Sequence, residues 1–252
     1  MADKIILQIK GHIAEIKLNN AQKLNCMGFE MLEALDEAVV QVTTNPTVRV
    51  LLFTGAGERA FSTGADLKEF KSLNAERAGR WIELGNLVFN KIETLPKPTV
   101  ALVHGYVMGG GMELALACDF RLAKVNAILS APELQHGWLP GWGGMTRLRR
   151  LIGEARAKEV VMLNERITAK EALRLGLLTR ILQDGTEEKQ LTQILTHLAS
   201  LKPSVYRLAK AAIMDAGRTT AGPDIEFDIL AMQEARQSDD APKELNKGKK
   251  YE

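Results

Sequence analysis

The sequence predicts an α/β core closed by a helical extension, and three observations carry that prediction. Short segments of alternating or β-branched residues alternate with segments of helical period over the first three quarters of the chain. Beyond Gly185 the pattern is helical only. No composition shift marks a linker, so one core with a dependent extension is expected, the core over residues 1–190 and the extension over 191–252.

The elements follow in order. Ile5, Leu7 and Ile9 alternate, Gly11 turns the chain, and Ile13, Ile16 and Leu18 run back, which predicts a β-hairpin. From Met27 to Val42, Phe29, Leu32, Leu35, Val39 and Val42 recur every three or four positions, the period of a helix. Val48 to Phe53 is short and β-branched and predicts a buried strand. Trp81, Leu84, Val88, Ile92 and Leu95 mark one face of a long helix, which Pro96 and Pro98 stop by fixing φ and removing amide donors. A strand is expected from Thr99 to Val103, then a turn over Gly105 to Gly111 leading into a helix that contains GMELALAC. Short strands follow at Phe120 to Ala123 and Ala127 to Leu129, and the Pro- and Gly-rich stretch from Pro132 to Gly144 reads as loop. Thr168 and Glu171 have the spacing of a capping box, Gly176 fits a helix C-cap, and Leu178 to Leu182 reads as a strand. The helical remainder is broken at Pro203 and near Gly222-Pro223.

Composition narrows the function classes. The 252 residues carry 33 basic and 31 acidic side chains, a formal charge of +2, with no basic block before the C-terminal tail, which argues against a nucleic-acid partner. Two cysteines, Cys26 and Cys118, are too few for a disulfide scaffold or a four-ligand zinc cage. No apolar run approaches the ~20 residues that span a bilayer. The start, MADKIILQIK, lacks the apolar stretch of a signal peptide, so a soluble cytoplasmic protein without membrane contact is expected.

Two glycine-rich stretches end strands: FSTGADLK (Phe61 to Lys68) and HGYVMGGGME (His104 to Glu113). Ligands of α/β proteins lie beyond the carboxyl ends of strands, and a glycine turn opening a helix exposes free amides at the positive end of its dipole. Side by side, these turns would offer two converging donors, the N–H groups of Ala65 and Gly110, suited to a developing oxyanion. Taken alone, the glycines are equally explained as tight turns. A dinucleotide fingerprint fails because Leu114 stands where its third glycine belongs, no G-K-[ST] triplet supports a phosphate loop, and neither turn holds a G-x-S-x-G elbow. Glu113, among small and apolar residues, and Glu133, between Pro132 and Leu134, are either surface or capping carboxylates or a buried acid and base. Whether they meet is not written in the sequence.

Four stretches resemble the crotonase (enoyl-CoA hydratase/isomerase) superfamily over nearly the whole length: FSTGADLKEF, KPTVALVHGYVMGGGMELALACDFRLA, APELQHGWLPGWGGMTRLRRLIG and RITAKEALRLGLLTRIL. The resemblance implies a spiral of ββα units with a C-terminal helical trimerisation region, assembled as a homotrimer or dimer of trimers. It implies hydration of a 2-enoyl-CoA thioester, with Ala65 and Gly110 as oxyanion-hole amides and Glu113 and Glu133 as catalytic carboxylates. Glu113 is assigned to water and Glu133 to the α-proton. Lys23 and Leu24, with Gly64, Asp66, Leu67 and Lys68, are expected to hold the adenine and pantetheine of CoA. No cofactor is implied, since CoA is part of the substrate and activation comes from backbone dipoles. The carboxylate pair favours a hydratase over an isomerase, another reaction of the family, or a non-catalytic acyl-CoA-binding protein.

This chain departs from the family pattern in places. Asn20-Ala21 replaces the usual arginine-proline of the N-terminal motif, and the C-terminus is the irregular APKELNKGKKYE, where Lys247, Lys249 and Lys250 are candidates for phosphate contacts. His136 could tune Glu133 or face solvent, and His12, His104 and His197 lack ligand spacing. Trp138 and Trp142 flank Leu139-Pro140-Gly141, and two of three tryptophans within five positions suggest either a flat acyl-pocket wall or core packing.

Overall fold

The computed structural model describes residues 4–216, 229–230 and 232–234. Among these, strands β1 (Ile5–Lys10) and β2 (Ile13–Leu18) form the expected hairpin, with Ile5 opposite Leu18. Its inward residues differ in one place from the expectation: Ala14, Ile16 and Leu18 are fully buried, while Ile13 lies on the other face. The pleat has period two, so Ile13 cannot share a face with Ile16.

Helix α1 (Phe29–Thr44) buries Leu32, Leu35, Val39 and Val42, the stripe its period predicts. Its first amide, Phe29 N–H, donates to Glu69 Oε1 at 3.1 Å, so its N-terminus is capped from a distant segment. Three strand–strand–helix passages follow. The first comprises β3 (Val50–Gly55), β4 (Ala60–Ser62), the short helix α2 (Leu67–Lys71) and the long helix α3 (Ala75–Glu93). The second comprises β5 (Thr99–Val103), β6 (Tyr106–Met108) and α4 (Gly110–Ala117). The third comprises β7 (Phe120–Ala123), β8 (Ile128–Ser130), one turn of 3-10 helix (Pro132–His136) and α5 (Gly144–Lys158). A π turn (Glu159–Leu163), β9 (Ile167–Thr168), α6 (Ala169–Leu175), β10 (Arg180–Ile181) and α7 (Glu187–Ser200) complete the order up to residue 200.

The first strand of each passage joins a six-stranded sheet, β1-β2-β3-β5-β7-β10, and the second joins a four-stranded sheet, β4-β6-β8-β9. Pairings within the large sheet are parallel beyond the hairpin, as are β4–β6 and β6–β8. Each ββα unit thus adds one strand to both sheets, which is the spiral the resemblance implied. Parallel strands covered on both sides read as continuous apolar runs, as VLLF in β3 does, with Phe53 fully buried.

Several elements differ from their sequence-based prediction. Gly105 to Gly111 is not one turn, because three of its residues pair as β6. The Pro132 to Gly144 stretch is not all loop, since Glu133 sits in the 3-10 turn. Helix α5 has no counterpart among the elements predicted from periodicity; Gly153, at φ 75°, breaks it. The strand predicted over 178–182 narrows to two residues, although the Thr179 and Leu182 amides still bond carbonyls of Arg121 and Ala123. The Thr168 hydroxyl does cap α6 by accepting from Glu171 N–H, and Gly176 ends it in the left-handed conformation at φ 83°.

The chain divides into two compact units, 1–199 and 200–252. In the second, α8 (Pro203–Ala216) starts at Pro203, a residue favoured in a first helical turn, and Arg207 pairs with Glu234. The expected break at Gly222-Pro223 and the lysines of the C-terminal tail lie outside the described residues. No helix among the described residues is long and apolar enough to cross a membrane.

Candidate active site

The two glycine turns abut. A Cβ built on Gly64, at φ 84°, would lie 2.5 Å from Gly110 N and 2.8 Å from the Met108 carbonyl oxygen, so only glycine lets these backbones approach. The first turn is held by the segment that precedes α1. Thr63 N–H donates to Leu24 O, Met27 N–H to Gly64 O and Asp66 N–H to Met27 O, while the Ser62 hydroxyl donates to Asn25 O. Asn25 is fully buried, sits at φ 55°, and donates its amide NH₂ to the carbonyls of Ala56, Ala60 and Phe61. The second turn leaves β6 through Gly109, at φ 50°, whose N–H donates to Ser130 O. Neither Ala65 N–H nor Gly110 N–H meets an acceptor among the described residues. Gly110 also begins α4, so its N–H lies at the positive end of a helix dipole.

Glu113 and Glu133 both face the cleft beside these turns, and both are buried, 4% and 7% exposed. Glu113 Oε1 accepts from Trp142 N–H and Gly144 N–H, each at 2.8 Å. Burial, reinforced by the neighbouring Glu133 charge, pushes the Glu113 carboxyl up to about 7, against the pull of the two amides and of Arg147. Glu133 Oε1 lies 2.9 Å from where a Cβ on Gly109 would stand, while Oε2 is buried without a hydrogen-bond partner. Burial raises the Glu133 carboxyl as well. Burial thus raises both carboxyls in this apolar cleft, with different hydrogen bonding at each.

Helix α3 is the back plate of the site. Its stripe Trp81, Gly85 and Phe89 packs on Trp142, with ring centroids 5.0 Å from Trp81 and 5.5 Å from Phe89, both edge-on. A Cβ on Gly85 would lie 2.3 Å from Trp142 Nε1 and Cδ1, so this helical glycine is a socket for the indole. The next residue, Asn86, donates to the Gly141 carbonyl. Arg147, 4% exposed, then locks the loop: Nη1 donates to Trp142 O at 2.8 Å, Nη2 to Asn90 Oδ1 and Glu93 Oε2 at 2.8 Å, and Nε to Glu93 Oε2 at 3.1 Å. Residue 142 is thus fixed at both ends of its backbone, the amide to Glu113 and the carbonyl to Arg147.

The cleft, counted with its open mouth, has a volume of about 330 Å³. Ala65, Gly110, both glutamates and the two predicted tryptophans line it, joined by Phe70 and Trp81, which sequence reasoning did not assign to the site. Trp81 was legible only as one residue of a helical stripe, and Phe70 had no signal beyond its closeness to the first turn. The other predicted binding residues lie apart from the cleft lining. Lys23 is exposed and pairs with Asp66 at 3.0 Å, which raises the lysine. Partial burial of Asp66 is outweighed by Lys23 and by the amides of Glu69 and Lys68 that it caps, so its carboxyl falls. Leu67 and Lys68 are exposed on α2, Leu24 gives its carbonyl to Thr63, and Gly64 serves the approach of the two turns. His136 is exposed, its ring 5.5 Å from that of Trp138, which favours the solvent-facing reading. His104 Nε2 bonds the Gly57 carbonyl and His12 Nδ1 that of Thr47, structural contacts outside the cleft.

Comparison with known proteins agrees with this geometry. A family model described as enoyl-CoA hydratase/isomerase matches residues 8–249. The chain is 33% identical over 238 residues to a short-chain-enoyl-CoA hydratase of Clostridium acetobutylicum, covering 94% of this chain and 91% of the relative. It is 36% identical over 217 residues to a crotonyl-CoA hydratase of Syntrophomonas wolfei, covering 86% and 84%. Among solved structures, an enoyl-CoA hydratase from Bacillus anthracis superimposes with a TM-score of 0.87 at 35% identity, over 91% of this chain and 90% of the other.

Proposed function

The chain belongs to the enoyl-CoA hydratase/isomerase family of the crotonase superfamily, and from that premise we propose that it is an enzyme adding water across the double bond of a 2-enoyl-CoA thioester. The observation that carries this reading is the convergence, on one cleft, of two acceptor-free amides and two buried glutamates.

The thioester oxygen accepts from Ala65 N–H and Gly110 N–H, which draws electrons from the double bond and makes C3 electrophilic. Oxyanion donors of this kind are each worth about 3 kcal/mol in the transition state. The hydrogen bonding of the two carboxylates supports their division of labour. Glu113, oriented by two amide bonds and raised to about 7, can take up and release a proton near neutral pH, so it serves as base. Glu133 Oε2 has no partner in an apolar setting, which favours the protonated form, so it serves as acid. Glu113 takes one proton from water as the oxygen bonds to C3; the π electrons pass through the enolate, and Glu133 gives its proton to C2. The pair then resets by passing one proton from Glu113 to Glu133 through the next water. This chemistry calls for no separate cofactor, CoA entering as part of the substrate. Lys23, Asp66, Leu67 and Lys68 are proposed as contacts of the CoA portion outside the cleft. A homotrimer or dimer of trimers built through the helical C-terminal region, in the cytoplasm, completes the proposal.

The test is loss of the conjugated enoyl absorbance with 2-butenoyl-CoA. Turnover by the wild type, reduced by ~10²–10⁴ in Glu113→Gln and in Glu133→Gln, is expected for a general base and acid. Tight CoA-ester binding with no turnover of any enoyl-CoA would instead identify a binding protein.

A further inference from the structure

Resting on the hydratase reading, we propose that the acyl group this site accepts is short, or flat and conjugated, because Trp142 fills the depth that a longer chain would need. Trp142 lines the cleft yet is only 2% exposed. Its six-membered edge lies over the second glycine turn: a Cβ on Gly110 would stand 2.2 Å from Cζ3 and 2.5 Å from Cε3. Its five-membered edge sits in the Gly85 socket, and its ring meets those of Trp81 and Phe89 nearly at right angles. Its own backbone is pinned by Glu113 on one side and Arg147 on the other. The indole therefore cannot swing aside without displacing the loop that orients Glu113.

Three more aromatic rings line the cleft, beside Ile82 and Leu139. Phe70 packs edge-on against Trp138, with centroids 4.5 Å apart, and at a tilt of 38° against Trp81 at 5.0 Å. The space between these walls, open mouth included, is about 330 Å³ and must hold the reacting carbons and a water as well. Flat ring surfaces favour a planar conjugated group, which stacks on them at little entropic cost. A flexible saturated tail gains less and has no depth to enter. Among the described lining residues, Leu139 is the most exposed, at 61%, and marks a way by which a longer tail could leave the cleft.

The experiment compares kcat/KM for 2-butenoyl-CoA, 3-phenylpropenoyl-CoA and 2-dodecenoyl-CoA in the wild type, Trp142→Ala, Trp142→Leu and Trp138→Ala. In the wild type, at least a tenfold preference for each of the first two over the dodecenoyl ester is expected. Either Trp142 variant should shrink that preference tenfold or more, and Trp138→Ala by a smaller factor. The leucine variant keeps apolar volume in the socket should the alanine variant fail to fold. Calorimetric binding of the saturated butyryl- and dodecanoyl-CoA to the wild type gives a second readout that needs no turnover. Wild-type turnover of the dodecenoyl ester within threefold of the butenoyl ester would overturn the proposal, the tail then leaving past Leu139. A folded Trp142 variant with an unshifted ratio would overturn it as well. Absence of all turnover, with butyryl-CoA bound tenfold tighter than dodecanoyl-CoA, would remove the hydratase reading and leave the size limit standing.

Discussion

Replacing Glu113 by glutamine should stabilise the protein at alkaline pH while disabling it. The glutamine carbonyl can still accept from the Trp142 and Gly144 amides, so the loop keeps its bonds and only the ionisable group is lost. In the wild type, burial and then the Glu133 charge raise the Glu113 carboxyl from 4.5 to about 7. A folded-state value above the unfolded one means that the native protein holds this proton more tightly. Stability linked to it is fully present below pH 4.5 and is lost as pH rises through about 7. The difference between those two values corresponds to roughly 3 kcal/mol at pH 8, or about 6–12 °C in Tm for a chain of this size. Paired thermal melts at pH 4.5 and pH 8 isolate it, because the cost of burying the glutamine amide is the same at both. The Tm of the variant minus that of the wild type should grow by about 6–12 °C from the lower to the higher pH. A difference that stays constant, or shrinks, would refute the assignment of Glu113 as a buried, reluctantly ionised base.

Other perturbations separate positioning from chemistry. Arg147→Met removes the partner of Glu93 and the donor to the Trp142 carbonyl; Glu93 keeps Arg150 at 3.1 Å, so a loss of about 3 kcal/mol, the low end for a broken buried pair, is expected in denaturant melts. Because the Arg147 charge lowers Glu113, the acidic limb of the kcat–pH profile, which the base controls, should also move upward in this variant, a shift that a purely structural role would not produce. Gly64→Ala places a methyl 2.5 Å from Gly110 N in a left-handed backbone, and kcat for 2-butenoyl-CoA should fall by ~10²–10³, the usual effect of losing an oxyanion donor. Asn25→Ala deprives the carbonyls of Ala56, Ala60 and Phe61 of a shared donor, and thermal melts should show a loss of about 2–4 kcal/mol.

The legibility of the chain followed the range of the forces involved. The hairpin, α1, α3, β5 and α4 rest on local periodicity and end signals, and they appear within a few residues of their predicted places. Strands β4 and β6, three residues each, carry too few side chains to show a period, and their pairing partners lie dozens of residues away. Helix α5 hid because Gly153 and a run of arginines interrupt its apolar pattern. In the site, the two turns and both glutamates could be named from residue type and position, but their meeting is a tertiary fact. Gly85 as a socket for Trp142, and Arg147 as the clamp from Asn90 and Glu93 to the same loop, depend on contacts 54–57 residues apart and left no local trace.

The central claim is that two main-chain amides, one from each glycine turn, grip a single thioester oxygen. A crystal structure with butyryl-CoA, the saturated ester that cannot be hydrated, tests it directly. The account requires the thioester oxygen ~2.7–3.1 Å from both Ala65 N and Gly110 N, with C2 and C3 between Glu113 and Glu133. An oxygen bonded to only one of these amides, or a C2–C3 bond turned away from either carboxylate, would contradict it.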